Sequence, residues 1–341
     1  MPKRRFTIAM PVHNGGDYLK SAIASCLAQR YADFDLAVLD NASDDGSSEW
    51  LLNINDHRLN IVRSDKLLSI EDNWRRIIEI KKSEFLTILA HDDLLDPDFL
   101  TTINTMIDRH PSGALFHTHY NIIDSEGCIV RPCLPMPFEE GASEFAAARF
   151  CNIRDSFSTG YVMRSNDYDA AGGIPPYAGL IYADDALWIT MLRGHDHRKY
   201  TSPGKYFSYR QHRDSAQHTV APTLLAAFEQ YVYFLCRELA DDASFRDFVM
   251  RYVAPFVHDC VKCIYGTALR DASLQRSRVD GDILIRLSQI IQPLSQERVN
   301  DIIRGDTRLR LLNFVNRLPV RHIVHKCAHL LDSTMPSRRT E

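Results

Sequence analysis

Over its first two hundred residues the chain switches repeatedly between short apolar runs and stretches whose apolar residues recur every three or four positions. FTIAM (6–10) is such a run and predicts a buried strand, while YLKSAIASCLAQ (18–29) carries helical spacing. DLAVLD (35–40) and LNIVRS (59–64) predict two more strands. Between them DDGSSEWLLNI (44–54) predicts a helix entered through acidic and Ser residues, the types that satisfy a helix N-terminus. EDNWRRIIEIKK (71–82) predicts a further helix and EFLTILA (84–90) a fourth strand, with a Pro-started helix after it. Alternation of this kind implies an α/β domain, a mostly parallel sheet flanked by helices. From about Ala221 the alternation stops: LLAAFEQYVYFLCREL (224–239) and FRDFVMRYVAPFVHDCVKCIY (245–265) read as helices, with a possible break at Pro255. The chain therefore divides into an α/β domain at 1–218 and a helical region at 219–341.

In a parallel sheet, ligands bind beyond the carboxyl ends of the strands. Here those ends are polar in a concentrated way: Pro11, His13 and Asn14 after the first strand, Asp40, Asn41 and Ser43 after the second, Asp92 and Asp93 after the fourth. Two adjacent carboxylates repel unless a positive charge accompanies them, so LAHDDLLDP (89–97) either caps the next helix or holds a cation. No GxGxxG follows the first strand and no GxxxxGK[ST] is present, which argues against an ordinary dinucleotide fold and a P-loop.

Bulk properties narrow the class. The 341 residues are 45% hydrophobic and 25% charged, with a net charge of −4, the balance of a globular protein without a nucleic-acid footprint. No apolar run suits a signal-peptide core or a membrane span, so a cytoplasmic protein is expected. The eight Cys are read as reduced thiols, and the CxxC at Cys260 and Cys263 as helix-interior thiols rather than a zinc site.

Taken in order, PVHNGGDYLKSAIASCLAQRYADFDLAVLDNASDDGS (11–47), LAHDDLLDP, STGYVMRS (158–165), GLIYADDALWITMLRG (179–194) and YRQHRDSAQH (209–218) resemble the family 2 glycosyltransferases of bacterial polysaccharide and lipopolysaccharide type, over about residues 5–218. The resemblance implies a GT-A fold, Rossmann-like, and inverting, metal-dependent transfer of a sugar from a nucleotide-sugar to a hydroxyl acceptor. It places Pro11, His13, Asn14, Asp40, Asn41 and Ser43 around the nucleoside. An Asp40 carboxylate able to accept the imide N–H of uracil makes a UDP-sugar the expected donor. Arg210 and Arg213 would contact the diphosphate, since guanidinium groups match phosphate geometry. Asp92, with Asp93 and His212, would hold Mn²⁺ or Mg²⁺. The family's metal motif usually opens with an Asp where this chain has Ala90. Asp184, or alternatively its neighbour Asp185, would be the base that deprotonates the acceptor. Ser215 is a weaker candidate.

Two rival readings are a nucleotidyltransferase and a non-catalytic nucleotide-sugar-binding assembly subunit. The first lacks the expected basic Gly-rich loop after the first strand; the second is opposed by the presence of Asp92 and Asp184. The acceptor class implied is a saccharide or a lipid-linked glycan. RLRLLNFVNRLPVRHIVHKCAHLL (308–331), rich in apolar and basic residues, suits either a surface helix at the inner face of a membrane or a helix pair packing within the chain or against a second copy. The histidines of HTH (117–119) and HDH (195–197) lack an evident acid partner or role.

Overall fold

The computed structural model describes residues 4–155, 157–193, 197–212, 220–275, 279 and 282–316. The chain folds into two compact units that divide between residues 217 and 218.

The first unit contains a mixed ten-stranded sheet: β1 (Phe6–Val12), β2 (Phe34–Asp40), β3 (Leu59–Ile61), β4 (Phe85–Ile88), β5 (Leu94–Leu95), β6 (Leu115–Ile123), β7 (Ile129–Pro132), β8 (Glu139–Glu140), β9 (Val162–Arg164) and β10 (Lys199–Arg210). The main strand order is β3-β2-β1-β4-β9-β6-β10-β5, with β7 on β6 and β8 on β10. Pairing is parallel from β3 through β4 and again between β6 and β10, and β9 runs antiparallel to both of its neighbours. β1 is buried at every position and reads as a continuous apolar run, as a strand covered on both faces must. Helices α1 (Gly16–Leu27), α2 (Ser47–Leu52), α3 (Ile70–Arg75), α4 (Phe99–Arg109), α5 (Ala142–Phe150), α6 (Ser165–Ala170) and α7 (Ala183–Leu192) connect and flank the strands.

Two elements depart from expectation. The helix expected over 71–82 ends at Arg75 and continues as a single 3₁₀ turn to Ile78, because the buried Lys82 ammonium turns back to donate to the carbonyls of Ile77, Ile78 and Ile80. The helix after LAHDDLLDP starts at Phe99, beyond Pro97. Leu94 and Leu95 first pair with β10, and the Asp96 amide donates to the Tyr206 carbonyl.

The second unit holds α8 (Ala221–Asp241), α9 (Ala243–Leu274), α10 (Asp282–Ile291), α11 (Val299–Gly305) and α12 (Thr307–Asn316). Phe228, Tyr231, Val232 and Leu235 of α8 and Val249, Val253, Val257 and Val261 of α9 are buried at helical spacing, which supplies the core. α9 passes through Pro255 without ending. Pro255 and Arg251 are exposed, so the Arg251 carbonyl that loses its helical partner lies on the solvent face of the helix. Cys260 is buried in this core and Cys263 is exposed. No helix among the described residues is long and apolar enough to cross a membrane. Most of the basic stretch 308–331 lies outside the described residues.

Candidate active site

The three polar strand tips are neighbours because β1 lies between β2 and β4, with Val12 opposite Asp40 and Ala9 opposite Ile88. Hydrogen bonds tie the first two together. The His13 ring nitrogen Nδ1 lies 3.0 Å from the Asn41 carbonyl, and the Asn14 amide donates to Ser43 Oγ at 3.0 Å. Asn14 adopts left-handed backbone (φ 52°), and its side chain pairs with Asp44, donating to the carboxylate at 2.8 Å and accepting from the backbone amide at 2.9 Å. Asn41 exchanges two hydrogen bonds with the backbone of Leu68, which fixes the loop after β3 beside the tip. Pro11, at the end of β1, is joined by its backbone to the half-buried His91, whose pKa burial lowers.

Asp40 is buried and engaged within its own loop. Its carboxylate accepts from the Ser43 amide at 3.1 Å and from the Ser48 hydroxyl, with the Arg63 guanidinium 3.6 Å away. The Arg76 guanidinium donates to its carbonyl at 3.2 Å and to the Val62 carbonyl at 2.5 Å. Arg63 and Arg76 thus put positive charge beside the Asp40 tip. Neither was a candidate from sequence, since an Arg on a strand end and one on a short helix carry no local signal.

The adjacent carboxylates of LAHDDLLDP do different things. Asp93 is wholly buried, accepting from Thr159 Oγ1 at 2.6 Å and from the Arg210 amide at 2.9 Å. Burial and then the charge of Asp92 push its pKa well above the usual carboxylate range. With both oxygens held inside the fold, Asp93 locks the loop to Thr159 and β10. Asp92 stays partly accessible, with its Oδ2 2.9 Å from His212 Nε2. Arg210 also turns inward. Its guanidinium is buried, donates from Nε to the Asp92 carbonyl at 2.8 Å and from Nη1 to the carbonyls of Asp124 and Ser125, and lies 4.7 Å from the Tyr18 ring centre. It braces the Asp92 backbone rather than reaching outward for a diphosphate. Arg213 and Ser215 lie outside the described residues, as does His195.

The residues present fit a divalent cation. Neighbouring ligands of an octahedral Mg²⁺ or Mn²⁺ at about 2.1 Å stand roughly 3 Å apart, and the Asp92 oxygen and His212 nitrogen are 2.9 Å apart. No cluster of three or more His, Cys, Asp or Glu suited to a metal occurs among the described residues.

A second acidic pair opens α7, where Tyr182 takes left-handed backbone (φ 61°) to begin the helix. Both oxygens of Asp185 accept from Arg149, at 2.7 and 2.8 Å, in the fork geometry of a bidentate pair. Asp185 is thereby occupied by Arg149. Burial, and after it the charge of Asp185, pushes the Asp184 carboxyl up to about 7 against the opposing pull of Arg149. Tyr209 on β10 links the two acidic pairs: burial, then Asp93, Asp92 and Asp184, all raise its hydroxyl pKa, so its phenol is within electrostatic reach of both. Its ring is stacked on Phe157 at 3.5 Å between centres. His117 is buried beside Tyr161, and burial drives its pKa well down. His119 Nε2 accepts from the Met136 amide, and its Nδ1 meets the Ser202 carbonyl. Both are structural histidines.

Residues 7–160 match the family model described as Glycosyl transferase family 2. Among sequence relatives, Glycosyltransferase GlyG of Streptococcus pneumoniae is 22% identical over 123 residues, covering 36% of this chain and 41% of that one. An uncharacterized glycosyltransferase of Haemophilus influenzae is 33% identical over 128 residues, covering 36% and 49%. A protein called y4gI from Sinorhizobium fredii is 31% identical over 116 residues, and the match covers 13% of its length. The chain thus spans less than half the length of these relatives. In fold it is similar to the 1–349 portion of S. aureus TarS in complex with UDP-GlcNAc, with a TM-score of 0.64 at 13% identity over 99% of this chain and 94% of that one. It is similar also to the mannosyltransferase PcManGT of Pyrobaculum calidifontis in complex with GDP-Man and Mn²⁺, with a TM-score of 0.52 at 13% identity over 97% and 88%. The strand-tip loops lie within the matched 7–160 segment, and the sheet that carries them is the GT-A-like sheet of these neighbours. Residues 7–160 thus match the glycosyl transferase family 2 model, and the fold is similar to that of these neighbours.

Proposed function

We propose that the protein is an inverting, metal-dependent glycosyltransferase that takes a sugar from a nucleotide-sugar, a UDP-sugar as donor class, to a hydroxyl on a saccharide or lipid-linked acceptor in cell-surface glycan synthesis. The observation that carries this reading is the division of labour between the two acidic pairs within electrostatic reach of Tyr209: Asp92 beside His212, and Asp184 with a carboxyl poised near neutrality. The named ligands of the structural neighbours, UDP-GlcNAc in one and GDP-Man with Mn²⁺ in the other, support the donor class and the cation.

The nucleoside would lie across the Pro11–Asn14 and Asp40–Ser43 loops, with Arg63 and Arg76 at its edge. Asp92 and His212 would hold the cation, which when bound neutralises charge growing on the diphosphate leaving group. Arg210 keeps the Asp92 backbone in place. Asp184 accepts the proton of the acceptor hydroxyl as its oxygen bonds to the anomeric carbon. The bond from that carbon to the diphosphate breaks on the opposite face, inverting the configuration. A carboxyl near 7 holds a proton well enough to take it and is ionised often enough to be ready.

Calorimetric titration with UDP, GDP and CDP, each with and without Mn²⁺, tests the donor site. Metal-dependent UDP binding that disappears in Asp92→Ala is expected. Equal UDP affinity in wild type and variant, or no nucleotide binding by the wild type, would overturn the reading.

A further inference from the structure

Asp184 and Asp185 are consecutive in the first turn of α7, so their side chains leave the helix about 100° apart. Holding one therefore sets the direction of the other. Asp185 is held by Arg149, which reaches across from α5 and donates from Nε and Nη2 to the two Asp185 oxygens and from Nη1 to the Arg154 carbonyl at 2.9 Å. The Asp185 side chain is 4% exposed and that of Arg149 22%, so the carboxylate is closed off from water while the guanidinium keeps a partly exposed edge.

Arg154 is fixed in turn. Its guanidinium makes a bidentate pair with the buried Glu140 at 2.6 and 2.9 Å, and Glu140 also accepts from Lys199 at 2.7 Å. The arm that grips Asp185 is thus anchored at its far side by the carbonyl of a residue that cannot move without breaking a buried ion cluster.

We propose that Arg149 is a positioning residue for sugar transfer: by clamping Asp185 to α5 it fixes the rotation of the first turn of α7 and so aims Asp184 at the acceptor. The inference rests on Asp184 being the base. Among the described residues, the charged groups facing Asp184 are Asp185 and Arg149, with the Tyr209 phenol also in electrostatic reach. Removing the guanidinium takes away the cation of this set, while removing the Asp185 charge takes away the anion, so the two changes move the Asp184 carboxyl in opposite directions.

The test compares Arg149→Met, Arg149→Lys and Asp185→Asn with wild type for UDP-sugar turnover, reading kcat, donor KM and the acid limb of the kcat–pH profile. Carbon-13 titration of labelled Asp carboxyls gives a readout without turnover. Arg149→Met is expected to lower kcat about ten- to a hundredfold with donor KM unchanged, and to move the acid limb up by about one pH unit or more. Arg149→Lys keeps the charge and loses the fork, so the limb stays near wild type while kcat remains reduced. In Asp185→Asn the limb moves down. Should Arg149→Met fail to fold, the other two variants carry the test. A limb and a carboxyl titration unmoved in every folded variant, with activity tracking only the folded fraction, would reduce Arg149 to a structural residue and overturn the proposal. A wild type that transfers no sugar would instead sink the glycosyltransferase reading, and the carboxyl titration would still show whether Arg149 governs Asp184.

Discussion

The buried cluster of Glu140, Arg154 and Lys199 permits a stability prediction that needs no ligand. Glu140 accepts three hydrogen bonds from two cations, and the three side chains are 1%, 3% and 0% exposed. Burial already lowers the Lys199 ammonium to about 8 although Glu140 supports it. In Glu140→Gln both cations lose their counter-charge, and breaking a buried pair in this way costs about 3–5 kcal/mol. Arg154 cannot escape by losing its proton, but Lys199 can. Neutralising an ammonium whose ordinary pKa is 10.5 costs about 5 kcal/mol at pH 7. The sign of the pH dependence follows. A lysine whose folded pKa lies below its unfolded value destabilises the fold at low pH, and stability returns as pH rises through that window. In wild type the window opens only above about 8. In the variant it opens lower, so its deficit should shrink by about 1.4 kcal/mol between pH 7 and 8 and then stay level. All three Trp of the chain, Trp50, Trp74 and Trp188, belong to the first unit, so urea unfolding followed by Trp fluorescence reads the unit that contains the cluster. A Glu140→Gln deficit below about 1 kcal/mol, or one that grows between pH 7 and 8, would refute the account.

Asp184→Asn should abolish transfer while metal-dependent UDP binding survives, and wild-type kcat should fall about tenfold per pH unit below about 7, since the base must be ionised. Because folding raises this carboxyl from 3.8 to about 7, its burial weakens the fold at pH above that window, so Asp184→Asn at pH 8 should melt no lower than wild type. Near-normal turnover, or a clear loss in Tm, would remove Asp184 from the role. At Gly160 (φ 80°) an added Cβ would stand 3.1 Å from His117 Nε2 and from the Phe207 ring, next to the Thr159 that holds Asp93. Gly160→Ala should therefore cost about 1–3 kcal/mol, and an unchanged Tm would show that this turn tolerates a side chain.

The convergence of strand tips was legible from local pattern alone. Apolar runs alternating with helical spacing specify a sheet, and the polar ends of successive parallel strands must then share one edge. Features decided over long separations were not legible. Lys82 cuts short the helix that the 71–82 pattern favours by capping carbonyls from beyond it, and no periodicity encodes such a reach. Glu140, Arg154 and Lys199 read individually as surface residues, because charged side chains are seldom buried and only their meeting makes burial tolerable.

The two acidic pairs show the limit most clearly. Asp92 and Asp93 are chemically identical neighbours, as are Asp184 and Asp185, and nothing local separates the members of either pair. In each, a residue remote in sequence makes the choice: Thr159 and Arg210 take Asp93 into the interior, and Arg149 takes Asp185. What remains is one carboxylate per pair that these remote partners do not take up. The charge of one member also works on the other, since Asp185 raises the Asp184 carboxyl just as Asp92 raises Asp93. Two like charges at one strand tip or one helix start are therefore tolerated because the fold treats them unequally. An Asp92→Asn, Asp93→Asn comparison separates their duties: the first should lose metal-dependent nucleotide binding with the fold intact, and the second should retain a neutral partner for Thr159 while weakening the lock to β10.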